Sequence, residues 1–174
     1  MKTYDLLLGI LVVVIWGSNF SIIEVGLHSL DPFMLTALRF TFSALPLIFF
    51  TKRPADVPWV VIAVYGAVFG VGLWWVVNAA MARGMSPGLS SLVLQFSAFF
   101  TILLSMLMFG ERIRARQWLG MAMSAAGLLW IIGQTHASST MLGVLLVLVA
   151  ALSWSACNLI VKKYQPKDMV AFIV

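Results

Sequence analysis

The stretch Pro87-Gly-Leu-Ser-Ser-Leu-Val-Leu-Gln-Phe-Ser-Ala-Phe-Phe-Thr-Ile-Leu-Leu-Ser-Met-Leu-Met-Phe-Gly-Glu111 decides how this chain is read. Residues 87–110 carry no charge. At about 1.5 Å per residue, a helix of that length crosses a hydrocarbon core of about 30 Å. It is not uniformly apolar. Gln95 and Ser97 stand near its middle, and Ser97, Thr101 and Ser105 recur every four residues. Polar groups in hydrocarbon are costly unless they face protein or a water-filled cavity. One face of this helix is therefore expected to look onto a protein interior. Gly110 and Glu111 end it, and a basic loop follows.

Composition extends the same reading to the whole chain. Its 174 residues are 62% hydrophobic and 10% charged, with a mean hydropathy of +1.04. Soluble domains are about 45–50% apolar and about 25% charged. The fold class expected is all-α transmembrane, a multi-span helical bundle. The net charge of +5 is not a nucleic-acid signal here, because Lys and Arg in a membrane protein report orientation. A single cysteine, Cys157, excludes an internal disulfide and any multi-cysteine metal site. His28 and His136 fall in predicted loops, so no metal or cofactor is expected. No span contains His, and Cys157 is the one mid-span thiol. Without a nucleophile and base within the spans, a membrane-embedded enzyme is disfavoured. Lys2 and the apolar run Leu6 to Ile15 mimic a signal peptide, but that run continues past Trp16 to Ile23 with no small-residue cleavage site. It reads as a retained span.

Six spans follow in order: Leu6 to Ile23, Pro32 to Phe50, Pro58 to Ala80, the quoted stretch, Gln117 to Ile132, and Met141 to Val161. A seventh begins at Met169. If the spans alternate, Lys2, Lys52, Arg53, Arg112, Arg114, Arg116, Lys162, Lys163 and Lys167 share one side. The other side holds Arg83 with Glu24 and Asp31, and Arg39 lies within a span. The positive-inside rule then places the N-terminus in the cytoplasm.

Residues 11–23 align without gaps on residues 149–161, with Trp16 over Trp154 and an Asn following within four residues in each, Asn19 and Asn158. Asp31 and Asp168 open the next apolar run in each case. The copies are five spans apart in order, an odd offset, so the second inserts upside down. Inverted repeats are a feature of secondary transporters, with the site near the midplane between them. Residues 1–134 form the first five-helix repeat, and 135–174 start the second. Val174 stands inside an apolar run, and the expectation is a chain truncated at its C-terminus.

The set of motifs resembles the EamA family of the drug/metabolite transporter superfamily. The residues that carry the resemblance are Trp16-Gly17-Ser18-Asn19-Phe20, Leu38-Arg39-Phe40, Pro87 through Ser91, Phe109-Gly110-Glu111-Arg112, and Gln117, Gly120 and Gly127. It implies ten spans at full length in two inverted five-helix repeats. Gly-Leu-Ser-Ser-Leu-Val-Leu-Gln (88–95), followed by Phe-Phe-Thr-Ile (99–102), resembles the O-acetylserine/cysteine exporter branch. That implies export of small amino-acid-pathway metabolites across the bacterial inner membrane. The alternatives are a broader-specificity transporter or an inactive fragment.

Candidate substrate-binding residues are Trp16, Asn19, Asn78, Ser91, Gln95, Thr101, Trp154 and Asn158. Asn19 shares a face with Trp16. The two either line a cavity or bridge helices, and Trp154 with Asn158 are the pseudo-symmetric pair. Gln95 shares a face with Gly88, Ser91 and Phe99; it either meets substrate or packs a close helix pair. Asn78 is open to both readings. Arg39 is the costliest residue, at about 2.5–3.5 kcal/mol at a helix centre. It is expected to pair with helix-end carbonyls or an acid, or to reach outward to water. Glu111 is expected to pair with Arg112, Arg114 or Arg116. Gly66 with Gly70, and Gly120 with Ser124 and Gly127, form small-residue ridges for helix packing. Trp59 and Trp118 are expected at the membrane interface, and Trp74 or Trp75 deeper. No carboxylate lies mid-span in a complete span, which disfavours simple proton antiport through such an acid. The partners implied are a small-molecule metabolite and the lipid bilayer, no nucleic acid, and a homodimer if the chain acts without further helices.

Overall fold

The computed structural model describes residues 3–134 and 141–174; Lys2 and His136 lie outside them. All regular structure among the described residues is helical. The helices are α1 (Thr3–Leu27), α2 (Pro32–Ile48), α3 (Trp59–Ala82), α4 (Pro87–Phe109), α5 (Ala115–Gln134), α6 (Met141–Tyr164) and α7 (Met169–Ile173). Four of them, α1, α3, α4 and α6, are long and apolar enough to cross a membrane. The two other expected spans fall short for different reasons. The 17 residues of α2 rise only about 26 Å, and α5 gives up part of its length to Arg116, Gln117 and Gln134.

Local chemistry sets the helix ends. Asp31 caps α2 by accepting the Phe33 and Met34 amides at 2.9 and 3.1 Å. Asp168 does the same for α7 through the Ala171 amide at 3.0 Å. Ser86 accepts the Leu89 amide at 3.3 Å, with Pro87 in the first turn of α4. Gly84 closes α3 at φ 93°. Its amide reaches Met81 O at 3.0 Å and the Met85 amide reaches Ala80 O at 3.2 Å, a paired C-terminal cap that needs the left-handed backbone.

Two helices depart from regular winding. Residues Val68–Trp75 of α3 are π-helical. In α4 the ladder breaks at Gln95, whose amide bonds Leu92 O at 3.1 Å, one residue short of the α-helical partner.

Helix α6 is the hub and packs along both α3 and α4. Leu73, Val77, Ala80, Val93, Val147, Ala150 and Ala151 are fully buried where the three meet. Helix α1 lies against the C-terminal part of α3 and the start of α4, while the side chains from Leu6 to Ile15 are exposed. A smaller cluster joins Val57, Tyr65, Cys157 and Phe172. Beside it, Asp56 accepts the Lys167 amide at 3.0 Å, tying the α2–α3 loop to the α6–α7 loop. Trp59 and Trp118 are exposed near helix starts, with Arg53 4.5 Å over the Trp59 ring, as an interfacial belt requires.

The expected glycine ridges do not make the close contacts. A Cβ at Gly66, Gly70, Gly120 or Gly127 would meet nothing within 4 Å. Within α3 the close approach is at Gly72, where a Cβ would stand 2.9 Å from Ser153 Oγ of α6. A four-residue ridge needs α-helical winding, and the π segment takes Gly70 out of line with Gly66.

Candidate functional site

An aromatic layer crosses the centre of the bundle. Trp16 on α1 meets Trp74 on α3 at a centroid separation of 6.0 Å and Trp154 on α6 at 5.3 Å. Phe20, one turn beyond Trp16, adds a contact with Trp74 at 6.2 Å. Of the two deep tryptophans in α3, Trp74 belongs to the layer and is buried, whereas Trp75 is exposed.

Among the described residues four buried polar atoms in the bundle lack partners, and one of them, on Arg39, belongs to a side chain stacked on this layer. Asn19 Nδ2, Arg39 Nη1, Asn78 Oδ1 and Ser90 Oγ are buried and make no hydrogen bond. The Arg39 guanidinium lies 4.1 Å over the Trp74 ring. It takes no acid or helix-end carbonyl as partner, and its side chain stays partly exposed. It uses the ring face instead, a contact of about 0.5–2 kcal/mol. Asn78 is completely buried and donates to Thr36 Oγ1 at 2.9 Å, and Thr36 donates to Pro32 O at 2.6 Å. Each buried polar atom left unsatisfied costs about 1–3 kcal/mol, so a site that completes them is favoured by that amount.

From the tryptophan layer a polar ladder runs along the parallel helices α4 and α6. Ser155 Oγ donates to Ser97 O at 2.8 Å, Asn158 Nδ2 to Thr101 Oγ1 at 3.1 Å, and Lys162 Nζ to Ser105 Oγ at 3.2 Å. The four-residue spacing of Ser97, Thr101 and Ser105 therefore does face protein. Lys162 also pairs with Glu111 at 2.6 Å. Glu111 thus takes a partner on α6, where an arginine of its own loop was expected. A pocket of about 210 Å³ opens at this end, lined by Thr101, Ser105, Glu111, Arg112, Gln117 and Lys162 among others. Larger cavities, of about 360 Å³ between α2, α3 and the C-terminal residues 172–174 and of about 430 Å³ between α3, α4 and α6, are mainly apolar and contain none of the eight expected binding residues.

The eight residues therefore divide. Trp16 and Trp154 meet in the layer, with Asn19 one turn from Trp16 and Asn78 buried near Thr36 on α2. Thr101 and Asn158 meet on the ladder. Ser91 donates back to Gly88 O at 2.8 Å, within its own turn. Gln95 is exposed at the break in α4, apart from the layer. Sequence reasoning did not single out Ser155 and Lys162. Their spacing from Asn158, three residues before and four after, matches the face opposite Ser97, Thr101 and Ser105 and was a signal that pointed to them.

The model of the EamA-like transporter family matches residues 3–133. A "Probable amino-acid metabolite efflux pump" of Escherichia coli (strain K12) is 43% identical over 165 residues, covering 94% of this chain and 55% of that protein. A protein of the same description from Salmonella typhimurium (strain LT2) is 41% identical over 182 residues, covering 100% of this chain and 60% of that one. The "Uncharacterized inner membrane transporter YedA" of Escherichia coli (strain K12) is 28% identical over 150 residues, 82% of this chain and 48% of that one. The chain spans about half the length of the curated relatives it matches. No solved structure matches it. This is a family of transporters rather than enzymes, and its match extends from α1 to the end of α5. This multi-pass helical membrane protein belongs to the EamA-like transporter family.

Proposed function

We propose that the protein exports small amino-acid-pathway metabolites, O-acetylserine and cysteine among them, across the bacterial inner membrane by alternating access. The observation that carries this reading is the tryptophan layer with its unpartnered Asn19 Nδ2 and Arg39 Nη1. Unsatisfied polar atoms beside aromatic rings suit a ligand that is polar at one end and aliphatic at the other. Two relatives more than 40% identical, described as probable amino-acid metabolite efflux pumps, support the substrate class.

On this reading residues 1–134 are the first repeat and 135–174 begin an inverted second. The shared capping role of Asp31 and Asp168 supports that division. The N-terminus is cytoplasmic, so the Glu111 end of the ladder faces the cytoplasm. Trp16, Asn19 and Trp154 meet the substrate directly. Asn78 shapes the wall behind them, and Thr101 and Asn158 lie on the path toward the Glu111 end. Gln95 faces away from this path, exposed at the break in α4, and Ser91 lies one turn before it on the same face.

The test is export from cells expressing the full-length protein, compared with empty vector and with Asn19→Ala and Gln95→Ala at matched membrane abundance. Cysteine and O-acetylserine in the medium should rise with the wild type and fall at least tenfold with Asn19→Ala. No rise from well-inserted wild-type protein would sink the substrate assignment.

A further inference from the structure

The pocket beside the Lys162 and Glu111 pair lies well away from the tryptophan layer. Trp154 and Lys162 are eight residues apart on one helix, about 12 Å along its axis. The two charged side chains are 39% and 52% exposed, so dissolved molecules reach them. An exposed ion pair is held weakly because water screens it and two long side chains must be ordered.

The surroundings select among partners. Lys162 and Arg112 oppose a cation, and Glu111 opposes a simple anion. A molecule with both charges on neighbouring atoms satisfies all three. Laid head to tail across the pair, it makes two charge-assisted contacts for the one it opens. Thr101 and Ser105 supply hydroxyls on the wall, and about 210 Å³ admits only a small solute.

We propose that this pocket is a second binding site, for a small zwitterionic amino acid, in which Lys162 takes the carboxylate and Glu111 the ammonium group. The inference rests on the transporter reading for its place on a transport path, but its binding chemistry stands apart from export. The ladder of Ser105, Thr101 and Ser97 then joins this outer site to the tryptophan layer.

The experiment measures equilibrium binding to the full-length protein in nanodiscs, in an Asn19→Ala background that weakens the inner site. The probes are L-cysteine, N-acetyl-L-cysteine, which lacks the ammonium group, and L-cysteine methyl ester, which lacks the carboxylate. L-Cysteine should bind at least tenfold more tightly than either derivative. Glu111→Gln should reverse the order of L-cysteine and N-acetyl-L-cysteine. Lys162→Gln should weaken L-cysteine about tenfold and tighten the methyl ester, because the cation that opposed its ammonium group and occupied Glu111 is gone. Glu111→Asp and Lys162→Arg, which keep both charges, should keep the wild-type order and control for folding. Equal losses for all three probes, or no binding of L-cysteine, would overturn the proposal. Normal export by the wild type together with an unswitched probe order sinks the outer site alone. A switched order without export sinks the export reading and leaves the outer site standing.

Discussion

The Trp16 and Trp154 rings lie 5.3 Å apart with their planes inclined by 31°, and they are the two residues that align when the first helix is laid over the sixth. Equivalent residues touch each other where a two-fold axis passes between them. A double-mutant cycle with Trp16→Ala and Trp154→Ala, read by unfolding in detergent, should give a coupling of about 0.5–1.5 kcal/mol. Phe at either position should keep most of it. Strict additivity would remove the contact from any account of the core.

Arg39 is held by the Trp74 face. Arg39→Lys keeps the charge but loses the planar group that stacks, and Trp74→Leu removes the ring. Each should cost about 0.5–2 kcal/mol, with little further loss when combined. Arg39→Met should insert more readily than the wild type, since about 2.5–3.5 kcal/mol of insertion cost goes with the charge. Glycosylation-tagged insertion assays measure that directly.

Gly72 and Gly66 test which small residues α3 uses. Gly72→Ala drives a methyl to 2.9 Å from Ser153 Oγ and 3.2 Å from its Cβ, and should destabilise by about 1–3 kcal/mol. Adding Ser153→Ala should recover only part, because the Cβ contact stays. Gly66→Ala meets nothing within 4 Å and should be close to neutral. Equal effects at the two positions would refute the assignment.

The ladder makes a matched prediction. Thr101→Val and Asn158→Ala each break the 3.1 Å bond. Interhelical hydrogen bonds in membranes average about 0.6 kcal/mol, so the coupling between the two should fall near that value. Ser155→Ala should cost no more than about 1.7 kcal/mol.

Asp56 supplies the pH dependence. The Lys167 amide, donating at 3.0 Å, holds this carboxyl below the usual carboxylate range. A lowered pKa means the tether contributes fully above the unfolded value, near pH 4. It is lost as pH falls through the folded value. Hydrogen-exchange protection of the Lys167 amide, corrected for intrinsic rates, should be present at pH 7 and vanish under acid. Asp56→Ala should abolish it at every pH.

Much of the fold was legible because its signals are local. Asp31 before Pro32, Pro87 itself, and Asp168 before Met169 each mark a helix start within a few residues. The repeat of Ser97, Thr101 and Ser105 announced a protein-facing side for the same reason. What failed depends on distant partners. Nothing near Glu111 points to Lys162, because the arginines beside it look adequate until α6 is placed. Arg39 invites an acid, but its neighbour is a tryptophan on another helix. The π-helical stretch is invisible to a reading that assumes regular winding, and the glycine ridge expected at Gly66 and Gly70 was misplaced with it.

The ladder between α4 and α6 also has a mechanical meaning. On the proposed division the two helices belong to different repeats, yet three cross-links join them at successive turns. At about 0.6 kcal/mol each, the rungs together hold roughly 2 kcal/mol, less than the roughly 5.5 kcal/mol needed to swing an equilibrium from 1:99 to 99:1. On the export reading the seam is a latch between the two repeats. It is also weak enough that a bound solute can open it. Rocking of the halves would start by unzipping at the exposed Lys162 end and run inward toward the tryptophans.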